Sequence, residues 1–319
     1  MDTFSQKIAV VTGAGTGMGR ELVRQLTAKG ADVAACDVME ENLLETAKLA
    51  DREGHGRITT HLCDVSNEKH FIKFRDEVAS QHQTEHIDLL FNNAGIGGGG
   101  SLVDFNRRRW ERTFDVCWYG VYFGCITFLP MLIAGRESHI VNTSSVNGFW
   151  ASLGPHVPHT AYSAAKFAVK GFTEALITDL RLYAPHVTCS VVMPGHVGTS
   201  IALNSRKLLR QTDAKWSDDT EAAMARDFYR RLGISIDGIP DDRVMEMIER
   251  DGEDFRDKAE TSAEEAVEII LAGVAEKRWR ILVGEDAKFL DESSRNDPES
   301  AYEVEFYDWL VKRNTKNAT

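Results

Sequence analysis

A glycine-rich turn between an apolar run and an amphipathic segment constrains the fold of this chain more than any other feature. Residues 7–12 (KIAVVT) are rich in β-branched side chains, which is typical of a buried strand. Residues 13–19 (GAGTGMG) follow directly, and residues 20–29 carry apolar side chains at helical spacing. A strand, a glycine-rich turn and a helix in this order place backbone N–H groups where a pyrophosphate can bind. The alternative is a glycine-rich loop that only turns the chain.

An acidic residue ends the second predicted strand. Residues 32–37 (DVAACD) form another apolar run, and Asp37 lies eighteen residues beyond Gly19. A carboxylate at this point accepts hydrogen bonds from both hydroxyls of an adenosine ribose and repels a 2′-phosphate. No basic residue stands at Ala14 or Val38 to offset that repulsion. The strand, the helix and Asp37 in register therefore favour a dinucleotide site and predict NAD as the cofactor.

A tyrosine and a lysine stand four residues apart, downstream of a serine pair. Tyr162 and Lys166 share one face of a predicted helix, because positions i and i+4 of a helix lie one above the other. A fixed positive charge beside the phenol lowers the tyrosine pKa from its ordinary value of about 10. Such a phenol can move a proton to or from a substrate hydroxyl. The Tyr-Lys pair alone is a weak signal, and its weight comes from Ser144 and Ser145 upstream.

Six motifs in a fixed order resemble those of the short-chain dehydrogenase/reductase family in its single-domain form. They are residues 12–19 (TGAGTGMG), 64–65 (DV), 92–95 (NNAG), 142–145 (NTSS), 162–166 (YSAAK) and 194–199 (PGHVGT). The resemblance covers about residues 7–199 and recurs weakly at residues 280–284 (RILVG). It implies an α/β fold with a doubly wound, Rossmann-like parallel sheet of about seven strands.

The resemblance also implies roles for individual residues. Ser145 would hydrogen-bond the substrate oxygen, and Tyr162 would transfer the alcohol proton. Lys166 would lower the Tyr162 pKa and bind the nicotinamide ribose. The implied cofactor-binding residues are Gly13, Thr16, Gly17, Met18, Gly19, Asp37, Asp64, Val65, Asn92, Ala94, Gly95, Tyr162, Lys166, Pro194, Gly195, Val197 and Thr199.

Within that set the resemblance assigns parts of the cofactor to particular residues. Asp64 and Val65 would flank the adenine, and Asn92 would lie along the cofactor between strands. Val197 and Thr199 would hold the nicotinamide carboxamide. We therefore expect the cofactor to cross the carboxyl ends of several strands.

One position departs from the family pattern. Cys117 stands where the family usually has an asparagine, which shapes the helix and helps to hold a water that passes protons to the lysine. The change affects that relay but leaves Ser145, Tyr162 and Lys166 in place. We expect Cys117 to be a small buried packing residue, as free cysteines usually are, and a reactive thiol is the alternative.

Apolar strands alternate with helical stretches along the chain, as a doubly wound sheet requires. We predict one domain over residues 1–319, a charged helical insertion at residues 201–261 that covers the substrate as a lid, and a C-terminal extension at residues 285–319. Strands are predicted near residues 7–12, 32–37, 58–63, 87–91, 138–143, 187–192 and 280–283. Helices are predicted near residues 17–29, 40–53, 67–82, 106–134, 161–183 and 263–276.

Composition argues against several classes of partner. The formal net charge of −12, without any basic stretch, disfavours nucleic acid and anionic membrane surfaces. No apolar run approaches the roughly 20 residues that span a bilayer. Residues 1–7 show no charged-then-apolar leader, so we expect a cytoplasmic location and no membrane. The cysteines are dispersed and His156 and His159 lack a third ligand, so we expect no metal.

These features predict an NAD-dependent dehydrogenase that transfers a hydride between the cofactor and a secondary alcohol or ketone by a Ser-Tyr-Lys mechanism. We expect a small-molecule substrate that is apolar or aromatic near the carbinol, and a homodimer or homotetramer. An NADPH-dependent carbonyl reductase with the same residues is one alternative, and Asp37 counts against it. The other is a dinucleotide-binding protein with weak catalysis, which Cys117 keeps open.

Overall fold

Parallel strands form the central sheet of the computed structural model, which describes residues 4–53, 56–103, 106–211 and 217–317. The strands are β1 (Ile8–Thr12), β2 (Asp32–Asp37), β3 (Ile58–Leu62), β4 (Leu89–Asn92), β5 (Ser138–Thr143), β6 (Val187–Pro194), β7 (Val197–Gly198), β8 (Thr261–Ser262) and β9 (Arg280–Val283). Seven of them form one sheet in the order β3-β2-β1-β4-β5-β6-β9, and β7 pairs with β8 alone. Every pairing in the large sheet is parallel, which confirms the predicted doubly wound fold.

Helices flank both faces of this sheet. They are α1 (Gly17–Ala28), α2 (Glu40–Glu53), α3 (Glu68–His82), α4 (Arg107–Phe114), α5 (Gly120–Ala134), α6 (Thr160–Tyr183), α7 (Ile201–Gln211), α8 (Asp218–Arg231), α9 (Asp241–Asp257), α10 (Ala263–Ala275), α11 (Glu285–Asn296) and α12 (Val304–Asn317). A π-helical turn at Asp115–Tyr119 joins α4 to α5, so that they form one helix. The predicted elements agree within a few residues, although β4 begins later than predicted and β6 continues through Pro194.

Alternate strand residues feed two apolar cores, one on each face of the sheet. Val11 belongs to the core that α1 and α10 cover. Its neighbour Val10 belongs to the core that α3, α5 and α6 cover. Successive side chains of a strand point to opposite faces, and burial on both faces explains the nearly continuous apolar runs of the sequence.

The order of strands reverses beside β1, because β2 and β3 lie on one side of it and β4, β5, β6 and β9 on the other. Open α/β sheets bind ligands at the carboxyl ends of their strands at such a point. The glycine-rich turn after β1 meets the loop after β4 there, where Thr12 Oγ1 accepts hydrogen bonds from the backbone N–H groups of Asn93 and Ala94 at 3.0 and 3.1 Å. The topology therefore brings two predicted motifs together at the carboxyl ends of the strands.

The helix Arg107–Ala134 is long and apolar enough to cross a bilayer by length and composition, contrary to our expectation that no such run exists. However, 56% of its most apolar window is buried inside the protein. Phe128 of this helix packs edge-on against Phe74 of α3, with ring centroids 5.5 Å apart. A core helix of a folded domain meets the same criteria, so the helix is weak evidence for a membrane span.

The insertion at residues 201–261 contains α7, α8 and α9, and its residues 212–216 lie outside the described part of the chain. Helices α8 and α9 pack through a small apolar cluster that includes Tyr229 and Val244. Helix α7 instead contacts the body of the domain, where Asn204 Nδ2 donates to Thr16 Oγ1 at 3.0 Å. The insertion is therefore helical, as predicted, and its role as a substrate lid stays a prediction.

The C-terminal extension forms α11, a 3-10 turn at Ser300–Tyr302 and α12. It packs on the loop that connects β5 to α6. The indole Nε1 of Trp150 in that loop donates to the carbonyl of Ala301 at 2.6 Å, and the backbone N–H of Ala151 donates to Tyr302 Oη at 3.0 Å. Trp150 is consequently buried under the extension.

Candidate active site

The glycine-rich turn approaches its neighbours so closely at Gly13 and Gly19 that these positions leave no room for a side chain. Gly13 and Gly17 have φ angles of +65° and +53°, a conformation that favours glycine. A Cβ on Gly19 would lie 1.9 Å from the carbonyl oxygen of Gly13, and a Cβ on Gly13 would lie 2.7 Å from the Cα of Ala94. These contacts fix the backbone at the start of α1, where N–H groups and the helix N-terminus favour an anion.

A cleft opens between this turn and the loops after β2, β3 and β4. A Cβ on Gly17 would lie 3.0 Å from Thr199 on another part of the wall, so a side chain there would narrow the cleft. The backbone turn, the helix N-terminus and the acids Asp37 and Asp64 fit a dinucleotide. The predicted cofactor residues that line the cleft are Gly13, Thr16, Gly17, Met18, Gly19, Asp37, Asp64, Val65, Ala94, Gly95 and Thr199.

Asp37 is buried at the end of β2 and is tied to the glycine-rich turn. Its carboxylate accepts hydrogen bonds from the backbone N–H groups of Gly15 at 2.8 Å and Met39 at 2.9 Å. Burial raises the pKa of Asp37, and these hydrogen bonds oppose that rise. The carboxylate thus stands at the wall of the cleft with no basic side chain bonded to it in the described part of the chain.

Asp64 forms an ion pair across the cleft wall. Ser66 donates to its Oδ1 through the backbone N–H at 3.0 Å and the hydroxyl at 2.7 Å, and Arg112 Nη2 lies 3.0 Å from Oδ2. Burial raises the pKa of Asp64, but the bonds from Ser66 and Arg112 and the charge of Arg112 outweigh it and lower the pKa. Arg112 is the one basic residue among the described residues that line the cleft, and Asp64 neutralises it.

Ser145, Tyr162 and Lys166 come together beyond the end of β5. Ser145 is buried, and its hydroxyl accepts the backbone N–H of Asn147 at 3.1 Å. Tyr162 and Lys166 lie on one face of α6, with Nζ 5.3 Å from the centre of the phenol ring. The Lys166 ammonium donates to the carbonyl of Thr143 at 2.8 Å. The structure therefore brings the three predicted catalytic residues to one place.

The electrostatics of this group differ from the expectation. Burial raises the pKa of the Tyr162 phenol, Cys117 adds to the rise, and a hydrogen bond with Ser145 opposes it. Burial also lowers the pKa of Lys166. Burial therefore dominates the Tyr162 pKa, the Lys166 ammonium bonds to Thr143, and the expected lowering of the Tyr162 pKa by Lys166 stays a prediction.

A histidine beside the phenol carries no motif in the sequence. The ring of His159 packs against Tyr162, with centroids 4.7 Å apart. Burial lowers the pKa of His159 to about 4, so its imidazole is neutral at physiological pH. His159 therefore adds no charge beside the Tyr162 ring, whereas Lys166 Nζ lies 5.3 Å from the ring centre.

Cys117 lies in the π-helical turn, close to the catalytic lysine. Its thiol is fully buried and donates to the carbonyl of Ile96 at 3.2 Å. A Cβ on Gly95 would lie 3.5 Å from Lys166 Nζ and 3.8 Å from Cys117 Sγ, so these two atoms flank the same point. Burial raises the pKa of Cys117, although the Lys166 charge opposes the rise, and a protonated thiol agrees with the expected packing role.

The side chain of Asn92 corrects one prediction. It does not line the cleft but points into the core, where Nδ2 donates to Asn142 Oδ1 at 2.9 Å. A Cβ on Gly124 of α5 would lie 2.1 Å from Asn92 Oδ1, which shows how closely the helix covers this amide. Asn92 joins β4 to β5, because the last side chain of the strand points to the face that α5 covers.

The loop after β6 meets the cleft at fewer residues than predicted. Pro194, Gly195 and Val197 do not line it, and Thr199 does. Val197 is instead buried in the core that α10 covers, since its strand β7 pairs with β8. The cleft therefore gives no support for a direct cofactor contact by these three residues. They instead shape the loop that carries Thr199.

Several cleft residues escaped the sequence prediction. Some adjoin predicted motifs, and that adjacency was the available signal. Nothing in the sequence indicated the cleft residues that come from helices without a motif, namely Arg112, Ile201, Asn204 and Leu208. The full set of additional lining residues is Val38, Met39, Cys63, Asn93, Ile96, Arg112, Val116, Ile201, Asn204 and Leu208.

Comparison with known proteins agrees with this geometry. The sequence model of the short chain dehydrogenase family matches residues 7–209. The chain belongs to the short-chain dehydrogenase/reductase family. As a member of this family it is an oxidoreductase with a dinucleotide-binding fold.

Three similar proteins illustrate the sequence identity and coverage between this dehydrogenase/reductase and known proteins. A Mycobacterium tuberculosis protein named as an oxidoreductase, SadH, is 34% identical over 295 residues, which is 92% of each chain. A short-chain dehydrogenase/reductase from Burkholderia phymatum, solved with NAD, is 29% identical with a TM-score of 0.70 and covers 88% of this chain and 90% of its own. A metagenomic short-chain oxidoreductase, solved with NADP, is 32% identical with a TM-score of 0.54 and covers 60% and 83%.

Replacement of Cys117 tests whether this dehydrogenase/reductase uses its thiol in chemistry. We expect Cys117→Ala to change kcat by less than about tenfold, because the thiol's hydrogen bond in the described part of the chain goes to a backbone carbonyl. Cys117→Asn should maintain or raise kcat, since an amide anchors neighbouring helix groups better than a thiol does. Single-turnover kinetics with circular dichroism as the folding control measure both. Loss of the chemical step in folded Cys117→Ala would make the thiol part of the reaction.

Proposed function

We propose that the protein is an NAD-dependent dehydrogenase that interconverts a secondary alcohol and its ketone. The observation that carries the proposal is the meeting of Ser145, Tyr162 and Lys166 at the edge of the sheet that also bears the dinucleotide cleft. A proton acceptor beside a hydride acceptor is what alcohol oxidation requires. The best direct test is a screen of secondary alcohols with NAD⁺ that follows NADH absorbance, and no turnover with any of them would contradict the proposal.

Each member of the trio has a distinct task in this reaction. The bound dinucleotide supplies the hydride acceptor at its nicotinamide ring. Ser145 donates a hydrogen bond to the substrate oxygen and holds it near the phenol, and Tyr162 takes the alcohol proton. Because burial and the neighbouring Cys117 raise the Tyr162 pKa, formation of the phenolate depends on positive charge in the site, which Lys166 and the oxidised nicotinamide would provide.

The surroundings of the phenol favour an uncharged substrate. His159 is neutral, Cys117 is protonated, and Ser145 carries no charge. A carboxylate or phosphate on the substrate would find no described cation next to the Tyr162 ring other than buried Lys166. We therefore propose a substrate that is apolar or aromatic near the carbinol.

NAD preference rests on Asp37. Its buried carboxylate would meet a 2′-phosphate with like-charge repulsion, and the one cation of the cleft wall among the described residues, Arg112, is paired with Asp64. The relative solved with NAD supports this choice, whereas the relative solved with NADP keeps an NADPH-dependent carbonyl reductase as the second candidate.

Steady-state kinetics distinguish the two cofactors. We expect kcat/KM to be at least about tenfold higher with NAD⁺ than with NADP⁺, the factor that one interaction of 1.4 kcal/mol gives. Asp37→Asn should reduce this ratio because it removes the charge and keeps the shape. Asp32→Asn, at the other end of β2, is the matched control and should leave the ratio unchanged. Equal or reversed preference in the wild type would favour the NADPH candidate.

Removal of the Tyr162 phenol oxygen tests whether the protein is an active enzyme or a dinucleotide-binding protein with weak catalysis. Tyr162→Phe keeps the ring that packs against His159, so folding and NAD⁺ affinity should survive. Turnover should fall by at least about 10²-fold, as is typical for a lost general acid or base. Tyr183→Phe, on the exposed end of the same helix, is the control. Near-normal turnover of Tyr162→Phe would show that the proton moves by another route.

Assembly into a homodimer or homotetramer is part of the proposal. Tyr119, Ile126 and Ile133 recur every seven residues along the helix Arg107–Ala134 and are 39–45% exposed. They form an exposed apolar stripe along this helix, and exposed apolar surface is typical of protein interfaces; Phe167 of α6 is also exposed. Sedimentation velocity at micromolar concentration should give a dimer or larger, and a monomer would contradict it.

A cytoplasmic location, without nucleic-acid or membrane partners, is proposed from the net charge of −12 and the residue pattern. Fractionation of cells that express the tagged protein tests the location. Recovery in the membrane fraction would contradict it.

A further inference from the structure

The loop after β6 is fastened by a carboxylate from the C-terminal extension. The backbone N–H of His196 donates to Asp286 Oδ2 at 2.6 Å. Asp286 lies in the first turn of α11, ninety residues further along the chain. Hydrogen bonds to an ionised group are short and about twice as strong as those between neutral groups. This bond therefore sets the position of the loop backbone at His196.

Two glycines make room for this carboxylate. A Cβ on Gly195 would lie 2.2 Å from Asp286 Oδ2, and a Cβ on Gly284 would lie 2.3 Å from Oδ1. Gly284 also has a φ angle of +97°, which an L side chain rarely adopts. The carboxylate fits a socket between two backbone segments, so its contact with the loop is specific in shape as well as in charge.

Helix α9 of the insertion at residues 201–261 also contacts the loop after β6. His196 Nε2 donates to the carbonyl of Phe255 at 2.7 Å, and the two rings pack with centroids 4.3 Å apart. A Cβ on Gly198 would lie 2.7 Å from the carbonyl oxygen of Arg256. The end of α9 and the start of α11 thus both contact the loop, and among these described contacts Asp286 supplies the charged side chain.

We propose that Asp286 is a positioning residue for the nicotinamide half of the dinucleotide. It fixes the backbone of residues 194–199, so that Thr199, which lines the cleft, is presented to the cofactor. The inference rests on the proposed function and on the expectation, implied by the family resemblance, that this loop holds the nicotinamide carboxamide. Since the hydrogen bond of Asp286 among the described residues goes to this loop, its removal should weaken contacts to nicotinamide and spare contacts to the adenosine half.

Calorimetric titration with two ligands tests this selectivity. NAD⁺ carries the nicotinamide, and ADP-ribose has the same adenosine, pyrophosphate and ribose without it. For Asp286→Ala we expect the Kd for NAD⁺ to rise about tenfold or more, and the Kd for ADP-ribose to stay within about twofold. Asp286→Asn should lie between wild type and Asp286→Ala, because an amide oxygen still accepts the His196 N–H but carries no charge.

A second acid on the same helix is the matched control. Asp291 of α11 pairs with Arg280 of β9 and has no hydrogen bond to the loop among the described residues. Asp291→Asn should therefore leave both Kd values unchanged, although it removes a charge from α11. Thermal denaturation of each variant separates a local effect from a loss of folded protein.

Different results would contradict the positioning role of Asp286 and the proposed function of the protein. An equal loss of NAD⁺ and ADP-ribose affinity in Asp286→Ala, or no loss of either, would overturn the positioning role. If Asp286→Ala does not fold, the same comparison in Asp286→Asn decides, with a selective rise in the Kd for NAD⁺ expected. The proposed function fails separately, when the wild type binds NAD⁺ but oxidises no alcohol, because the binding experiment requires no turnover.

Discussion

The hydrogen bond from the buried Lys166 ammonium to the Thr143 carbonyl is the interaction on which the site depends. Lys166 is 2% exposed, and a buried charge without a partner is costly, so this bond sets where α6 lies against the end of β5. Ser144 adds a second tie, since its hydroxyl donates to the Lys166 carbonyl at 2.7 Å. Tyr162 lies one turn earlier on α6, and the same ties therefore hold its phenol beside Ser145.

The C-terminal extension supports the site from far along the chain. Asp286 holds the loop after β6 across ninety residues, and the Ala301 carbonyl holds Trp150 across 151 residues. Trp150 lies in the loop that leads from Ser145 to Tyr162. Contacts of such separation form only when the whole domain is folded, so the shape of both loops depends on the complete fold.

Sequence patterns predict the local parts of the fold and site, where residues close together in the chain determine the structure. The glycine-rich turn needs only its flanking strand and helix, and Tyr162 and Lys166 share a face by helical periodicity. The prediction failed for Asn92, because an apolar strand context does not reveal which face the last side chain takes. Arg112 and Asp286 carried no signal, since their partners lie 48 and 90 residues away. The Tyr162 pKa depends on burial, which only packing determines.

The pH dependence of alcohol oxidation in the wild type and in Lys166→Met tests the account most directly. The phenolate accepts the proton, so kcat at saturating NAD⁺ and alcohol rises with pH through the Tyr162 pKa and levels off above it. With positive charge beside the phenol, we predict a wild-type break below the ordinary tyrosine value of about 10. Lys166→Met should move the break upward by at least about one pH unit, whereas Lys170→Met, which removes an ion pair with Glu174 on the same helix, should not. An unchanged break in Lys166→Met would contradict the account.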